Sequence, residues 1–315
     1  MSKTLDGRRS EDVFSTASLP RCSVGAVVVL FHPDWAQTRR QLEALVDQVA
    51  HIVLVDNTPD SRAPAPGLSD RVSYLAMGEN TGIAHAQNRG VQECERIGRM
   101  RFVVFFDQDS EIPDGLIAAL LQGYSKLTEL GHRVAAIGPR PFDVHRQQAH
   151  TPLFSIRRRV GSRFSHVSHL LSSGTLVSLE AFHVIGPFDE NLFIDSVDQE
   201  WGWRANSRGW LCIVDESFRL RHRMGSQGPL VMGLLFTVSS PARLYYQFRN
   251  SVRLLLYYRN PHPPLHWIFK RILMLPIKFA YYSLFSSSRL QNLKFMLEGA
   301  IDGVANRGGP WSSNH

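Results

Sequence analysis

Five short apolar runs, each followed by a helical stretch or a turn, leave few folds open to this chain. Val24–Phe31 reads VGAVVVLF, Ile52–Val55 IVLV, Val72–Ala76 VSYLA, Phe102–Phe106 FVVFF and Val134–Ile137 VAAI. Runs this short, continuous rather than alternating, suit strands of a parallel sheet covered on both faces. Between them, Trp35–Val49 places Leu42, Leu45, Val46 and Val49 on one helical stripe, and Ile83–Ile97 reads as a second helix. Pro113 opens a third helix reaching about Leu130, since proline suits a first helical turn. Thr58–Asp70, rich in Pro, Ser and Gly, is a loop. Strand and helix alternating at this spacing give an α/β layered fold with a mostly parallel sheet and flanking helices. Such sheets bind ligands at the carboxyl ends of their strands. Asp56, Asp107 and Asp109 close the second and fourth strands, so three carboxylates gather on that edge.

The composition fits a globular chain of 315 residues, 43% hydrophobic and 20% charged. Three widely spaced cysteines, Cys22, Cys94 and Cys212, offer neither a disulfide framework nor a C-x-x-C site, which favours a reduced, cytoplasmic compartment. The net charge of +7 is misleading about partners. Residues 240–315 hold ten Lys or Arg against Glu298 and Asp302, so the remainder is close to neutral and no nucleic-acid partner is expected. The same segment carries 13 of the 32 aromatic residues. Basic and aromatic with few acids is the composition of amphipathic helices resting on anionic lipid headgroups. Packing of those helices on the rest of the protein is the alternative, and both can hold for different faces. No stretch offers the roughly 20 apolar residues of a spanning helix. Met224–Ala242 is uncharged but interrupted by polar residues and proline, and Ile272–Phe285 is broken by Pro276 and Lys278. Residues 1–21 lack an apolar core and read as a flexible tail rather than a signal peptide.

The strand-end carboxylates have no phosphate loop to work with. The turn after the first strand is His32-Pro33-Asp34, and neither a Walker A sequence nor a G-x-S-x-G elbow occurs. A divalent cation, Mg²⁺ or Mn²⁺, is the natural counter-charge for an anionic ligand here. Asp107 and Asp109 flank Gln108, and residues i and i+2 of an extended chain share a side, so both carboxylates can reach one ion. A solvated strand end with a helix cap is the structural alternative. Asp56 can accept from the imide N–H of a uracil or thymine, or it can simply close a turn. In Asn80-Thr81-Gly82-Ile83-Ala84-His85-Ala86-Gln87-Asn88-Arg89-Gly90, Asn80 suits a cap and Gly82 permits close backbone approach. Asn88 and Arg89 stand where an amide or a cation can meet a diphosphate, and His85 reads as structural. Asp195, Asp198 and Glu200 crowd the front of a helix, where the dipole favours carboxylates. One of them held near an acceptor hydroxyl can instead take its proton. His222, between two arginines, is either a surface residue or a third metal ligand. The run Arg157, Arg158, Arg159 and Arg163 is either a solvated loop or a contact for an acceptor's phosphate or carboxylate.

VGAVVVLF, VLVDN, NTGIAHAQNRG, FFDQDS, FDENLFIDSVDQEWGWRA and RHRMG occur in the order found in family 2 glycosyltransferases. The chain resembles their rhamnosyltransferase branch over about residues 22–260. The resemblance implies the GT-A fold, with residues 22–138 as a nucleotide-sugar-binding half and 139–240 as an acceptor-binding half. Residues 241–315 would form a C-terminal helical segment. It implies nucleotide-sugar contacts from Asp56, Asn57, Asn80, Gly82, Asn88, Asp107, Gln108 and Arg204, and metal ligation by Asp107, Asp109 and His222. Asp198 matches the position of the catalytic base. Most relatives carry an acid just before that base, where this chain has Val197, so Asp195 and Glu200 remain rivals. The implied reaction is inverting, metal-dependent transfer of L-rhamnose from dTDP-L-rhamnose. Its acceptor would be a lipid-linked glycan or glycolipid, as in O-antigen, capsule or rhamnolipid synthesis. The enzyme would sit peripherally on the cytoplasmic face of the inner membrane. A sugar-phosphate nucleotidyltransferase is one alternative, although it would carry a Gly-rich basic loop after the first strand. A non-catalytic, membrane-associated nucleotide-sugar-binding protein is the other.

Overall fold

The structure, a computed structural model, describes residues 23–61, 68–143, 148–149, 156–222, 227–231, 234–237, 239–259 and 261–312. The tail expected over residues 1–21 lies outside them. In chain order the elements begin β1 (Val24–Leu30), α1 (Trp35–Val46), β2 (His51–Asp56), β3 (Val72–Ala76), α2 (Ile83–Ile97), β4 (Phe102–Asp107) and α3 (Leu116–Glu129). Then follow β5 (Val134–Asp143), β6 (Gln148–Ala149), β7 (Ile156–Val160), β8 (Phe164–Val167), β9 (Leu176–Ser178), α4 (Leu179–Ile185) and α5 (Val197–Ser207). The chain continues with β10 (Leu211–His222), β11 (Gln227–Val231), β12 (Leu234–Thr237), α6 (Pro241–Leu256), α7 (Leu265–Leu284) and α8 (Arg289–Val304).

The main sheet runs β3-β2-β1-β4-β9-β5-β10-β8-β7, with β6 on β5 and a separate β11-β12 hairpin. β1 to β4 are mutually parallel, and β10 pairs parallel with β5. β9 enters between β4 and β5 antiparallel to both, so the fifth strand does not sit beside the fourth. The apolar runs are continuous because both faces of the sheet are covered. Val24, Ala26, Val28, Phe102, Val104 and Phe106 meet Leu45 of α1 and Leu116, Ile117 and Leu120 of α3 on one side. Val27, Val53, Val55, Val103 and Phe105 meet Ala84, Ala86, Val91 and Cys94 of α2 on the other. Burial of this kind contributes about 25 cal/mol per Å² of apolar surface and fixes which edge of the sheet the strand ends present.

Three elements differ from the sequence reading. α1 ends at Val46, and β5 and β10 are much longer than the apolar runs within them, because polar residues extend both strands past the core. Within the expected C-terminal helical segment, α7 and α8 are parted at Phe285–Ser288, where three consecutive serines are weak helix formers. The segment Met224–Ala242 lies partly outside the described residues; its described part includes β12. No helix among the described residues is long and apolar enough to cross a membrane.

α6 is buried along most of its length, with Leu244, Tyr245, Phe248, Arg249, Asn250 and Leu254 all enclosed. α8 lies against it closely: a Cβ at Gly299 would stand 2.3 Å from the Tyr245 carbonyl oxygen, so only glycine fits that crossing. α6 in turn packs on the loop between α4 and α5, next to the strand ends.

Candidate active site

The loops at the carboxyl edge of β1, β2 and β4 are stitched together by side chains. Gln108 accepts from the Phe31 backbone N–H at 2.8 Å and donates to the Phe31 carbonyl at 3.1 Å, tying the end of β4 to the end of β1. The His32 N–H donates to Thr58 Oγ1 at 2.7 Å, tying β1 to β2. Asp56 is buried, with Oδ2 accepting from the Tyr74 hydroxyl at 2.6 Å and Oδ1 from the Thr58 N–H at 3.0 Å. Burial, and then the bond to Asp56, raises the Tyr74 hydroxyl pKa above its ordinary value. Asn57 binds across to the head of α2: its Nδ2 donates to Asn80 Oδ1 at 3.1 Å and its Oδ1 accepts from the Thr81 N–H at 2.9 Å. Asn80 Oδ1 also accepts from the Gly82 N–H at 3.1 Å.

Gly82 serves a close approach, and its neighbour is protein. With φ of 84°, it brings the start of α2 against the loop before α5, and a Cβ there would stand 2.6 Å from the Phe193 ring. The Ile83 N–H then donates to the Phe193 carbonyl at 2.8 Å. Asn88, fully enclosed one turn further on, also faces that loop. It bonds the Phe188 carbonyl and N–H, each at 3.0 Å, and donates to Glu190 Oε1 at 2.8 Å. His85 Nδ1 lies 2.8 Å from Glu190 Oε2, a structural contact. Arg89 is exposed and bonded to Gln92. The α2 motif therefore joins the two halves of the sheet edge.

Asp107 ends β4, and the Ser110 N–H donates to its carbonyl at 3.1 Å, so residues 107–110 turn instead of continuing extended. The chain is therefore not extended from Asp107 to Asp109, the premise on which the two carboxylates were expected to share a side. Asp109 lines a cavity of about 450 Å³ with Gln37, Arg40, Gln41 and Ala44 of α1. Asp107 is close enough to Asp198 to raise that residue's pKa. Gln41 and Ser173, which the sequence reading did not assign to the site, hold the Asp107 backbone: Gln41 Nε2 donates to its carbonyl at 2.7 Å. Ser173 Oγ accepts its N–H at 3.4 Å and lies 2.6 Å from Ser110 Oγ. Among the described residues no three His, Cys, Asp or Glu side chains form a metal-binding group. The side chain of His222 lies outside the described residues.

The three rival acids at the head of α5 have different partners. Glu200 is buried and paired with Arg204 at 2.6 Å, while Arg204 also donates to the Ile185 carbonyl at 2.9 Å and the Pro187 carbonyl at 2.7 Å. Burial raises the Glu200 carboxyl despite that partner. This pair pins α5 to the end of α4. Asp195 takes two bonds from Arg243 of α6, at 3.0 and 3.2 Å. Asp198 accepts the Gln199 N–H at 2.9 Å and has no cation in ion-pair contact among the described residues. Burial, reinforced by Asp195 and Asp107, pushes its carboxyl up to about 7.

The loop presenting Asp195 and Asp198 is strained: Phe193, Asp195 and Ser196 all have positive φ, at 63°, 63° and 69°. Non-glycine residues hold such conformations only when the surroundings fix them. α6 supplies the fixing. Asn250 Nδ2 donates to the carbonyls of Leu192, Ile194 and Asp195 at 2.9, 2.7 and 2.9 Å. Arg249 donates to those of Asn191 and Leu192 at 2.9 and 3.0 Å, and Phe193 stacks on Tyr246 at 4.6 Å. The only signal in the sequence was a polar Arg-Asn pair inside an aromatic helix. Of the basic run, Arg163 is paired with buried Asp215 at 2.7 Å, and Arg158 and Arg159 are on β7. Arg157's side chain is outside the described residues.

An open α/β sheet with acids at its strand ends and a second acidic loop facing them is the GT-A type of glycosyltransferase fold. A crystal structure of GalNAc-T7 with UDP, GalNAc and Mn²⁺ superposes with a TM-score of 0.53 at 14% identity, over 88% of this chain. This chain spans 54% of that protein. S. aureus TarS 1–349 in complex with UDP-GlcNAc superposes with a TM-score of 0.51 at 14% identity, covering 90% of this chain and 80% of that one. The chain belongs to glycosyl transferase family 2, the model of which matches residues 26–186. It is also 28% identical over 294 residues to the dTDP-rhamnosyl transferase RfbF of Shigella flexneri, covering 90% of this chain and 95% of that protein.

Proposed function

We propose that this glycosyltransferase moves L-rhamnose from dTDP-L-rhamnose to a hydroxyl of a lipid-linked glycan or glycolipid, inverting the anomeric centre. The donor reading is supported by the similarity to the Shigella flexneri dTDP-rhamnosyl transferase across nearly the whole chain. The observation that carries the mechanism is the state of Asp198. Its two rivals are each committed to an arginine, whereas Asp198 has no cation in ion-pair contact among the described residues and a carboxyl pushed to about 7. A base is most effective with a pKa near the working pH, because it is then largely ionised yet still proton-hungry.

In this mechanism the donor's base and ribose lie at the ends of β1 and β2, beside Asp56 and Asn57, with the diphosphate toward Asp107. Asp198 accepts the acceptor's hydroxyl proton as that oxygen attacks the anomeric carbon from the face opposite the nucleotide. The charge of Asp107 raises the Asp198 carboxyl, so a divalent cation fits their company electrostatically. Asp107 and Asp109, with His222, are the residues proposed to hold Mg²⁺ or Mn²⁺, which would offset charge on the departing diphosphate. The amphipathic C-terminal helices are proposed to rest on the cytoplasmic face of the membrane.

Asp198→Asn keeps the shape and removes the base, so kcat should fall about 10²–10⁴-fold while the dissociation constant for dTDP-L-rhamnose stays unchanged. Wild-type turnover should rise with pH as Asp198 ionises. An unchanged kcat in Asp198→Asn would overturn the assignment. The metal reading has a binding readout: calorimetric affinity for dTDP should rise with Mn²⁺ in the wild type and lose that dependence in Asp107→Asn.

A further inference from the structure

The loop that leads into α5 is covered by the chain that follows α8. α8 ends at Val304, and the next residues turn back on the molecule. The Arg307 N–H donates to the Asp302 carbonyl at 2.9 Å, and Asn306 and Gly309 take positive φ, at 55° and 81°. Asparagine and glycine adopt that conformation at least cost, so Asn306-Arg307-Gly308-Gly309 suits the return. Gly308 then lies directly on Asn191, where a Cβ at Gly308 would stand 2.6 Å from the Asn191 Cβ. The Gly309 N–H donates to the Asn191 carbonyl at 2.9 Å, and the Gly309 carbonyl accepts from Arg249. The buried Arg249 guanidinium thus donates to carbonyls of both segments, and loss of either leaves a charged donor short of a partner.

Trp311 completes the cover. Its backbone N–H donates to the Tyr246 hydroxyl at 2.9 Å and its Nε1 to Glu298 Oε2 at 3.1 Å, while its ring meets Phe295 of α8 at 4.9 Å. Tyr246 is the ring on which Phe193 stacks, and the Phe193 carbonyl accepts from the Ile83 N–H. Contact therefore runs without a break from Trp311 through Tyr246 to Phe193. From Phe193 it reaches the head of α2 on one side and the left-handed Asp195 and Ser196 on the other. Such residues keep their conformation only while their surroundings enforce it.

We propose that Gly308, Gly309 and Trp311 are positioning residues for sugar transfer, holding the loop that sets Asp198 through Asn191, Arg249 and Tyr246. This rests on Asp198 acting as the base, as proposed above, and assigns residues more than a hundred positions away to its support. Without the cover the left-handed residues relax, Asp198 moves relative to the donor, and water reaches its carboxyl.

The test compares the full-length wild type with Gly308→Ala and Trp311→Ala. Each substitution should lower kcat about 10–100-fold, the cost of displacing a reactive group by about an ångström. The dissociation constant for dTDP should stay unchanged, which also reports intact folding. The midpoint of kcat against pH should move toward acid, because Asp198, held at about 7 by burial, regains water. Backbone amide exchange should quicken over residues 191–198 and remain slow in β1 to β4. An unchanged kcat and pH midpoint in both variants would overturn the proposal, and in one of them would remove that residue from it. A matching loss of dTDP affinity, or faster exchange throughout the sheet, would also overturn it, since the segment would then support the whole fold. Exchange and dTDP binding need no turnover. A wild type that transfers no rhamnose, while the variants free residues 191–198 alone, would refute only the function proposed above. Undiminished transfer by both variants would refute only this role.

Discussion

At the scale of single residues, the site separates two acids paired with arginines, Asp195 and Glu200, from Asp198, which among the described residues has no such partner. Asp198 has a pKa of about 7 where an ordinary aspartate has 3.8, so the folded protein keeps a proton that the unfolded chain releases. Stability therefore falls as pH rises from about 4 to about 7 and stays lower above that. Asp198→Asn removes this effect. Without added divalent cation, its melting temperature should exceed that of the wild type at pH 8 and match it near pH 4. An equal melting temperature at both would mean that Asp198 is better solvated than the structure implies. Such a gain in stability at the expense of activity is what a reactive group in an unfavourable setting produces. The position of the acids was legible in the sequence because each followed an apolar run or opened a helix. Their roles were not. Whether Asp195, Asp198 or Glu200 is committed depends on Arg243 and Arg204, and for Asp195 that partner lies 48 residues away. The chain reads as extended from Asp107 to Asp109 but turns there, with Gln41 and Ser173 of distant elements bonded to the Asp107 backbone.

At the scale of elements, β1 to β4 and the helices between them follow directly from periodicity, since each buries a continuous apolar run. The insertion of β9 between β4 and β5 does not, because only three residues, Leu176–Ser178, make that strand. α6 is the element whose role the sequence concealed: it reads as an amphipathic surface helix, yet its buried face carries Arg249 and Asn250. Asn250→Ala strips three carbonyls of a shared donor at a fully enclosed position. It should cost about 1–3 kcal/mol in urea unfolding. It should also lower kcat more than it changes donor affinity, since the loop it releases leads directly into the first turn of α5, which carries Asp198. If Asn250→Ala alters donor binding and leaves kcat intact, the clamp belongs to the wrong half of the site.

Across the whole molecule, charge and apolar surface are unevenly spread. The catalytic sheet is close to neutral, and the exposed apolar side chains concentrate on α7 and α8, including Phe269, Leu273, Leu290 and Ile301. Phe269→Ser with Leu273→Ser should reduce co-sedimentation with anionic vesicles while leaving the melting temperature within about 0.5 kcal/mol equivalent of wild type, as exposed substitutions do. Adding salt to 1 M, where screening acts within about 3 Å, should weaken what remains. Full co-sedimentation by the double variant would place the contact elsewhere. The α6 clamp also bears on synthesis. Arg249 reaches the Gly309 carbonyl as well as the loop around Asn191 and Leu192. A ribosome that has released residues as far as β12 has delivered every strand of the main sheet, but the loop bearing Asp198 still lacks the side chains that hold its left-handed turns. The nascent protein thus gains its sheet first and the setting of Asp198 only once residues 249–309 emerge.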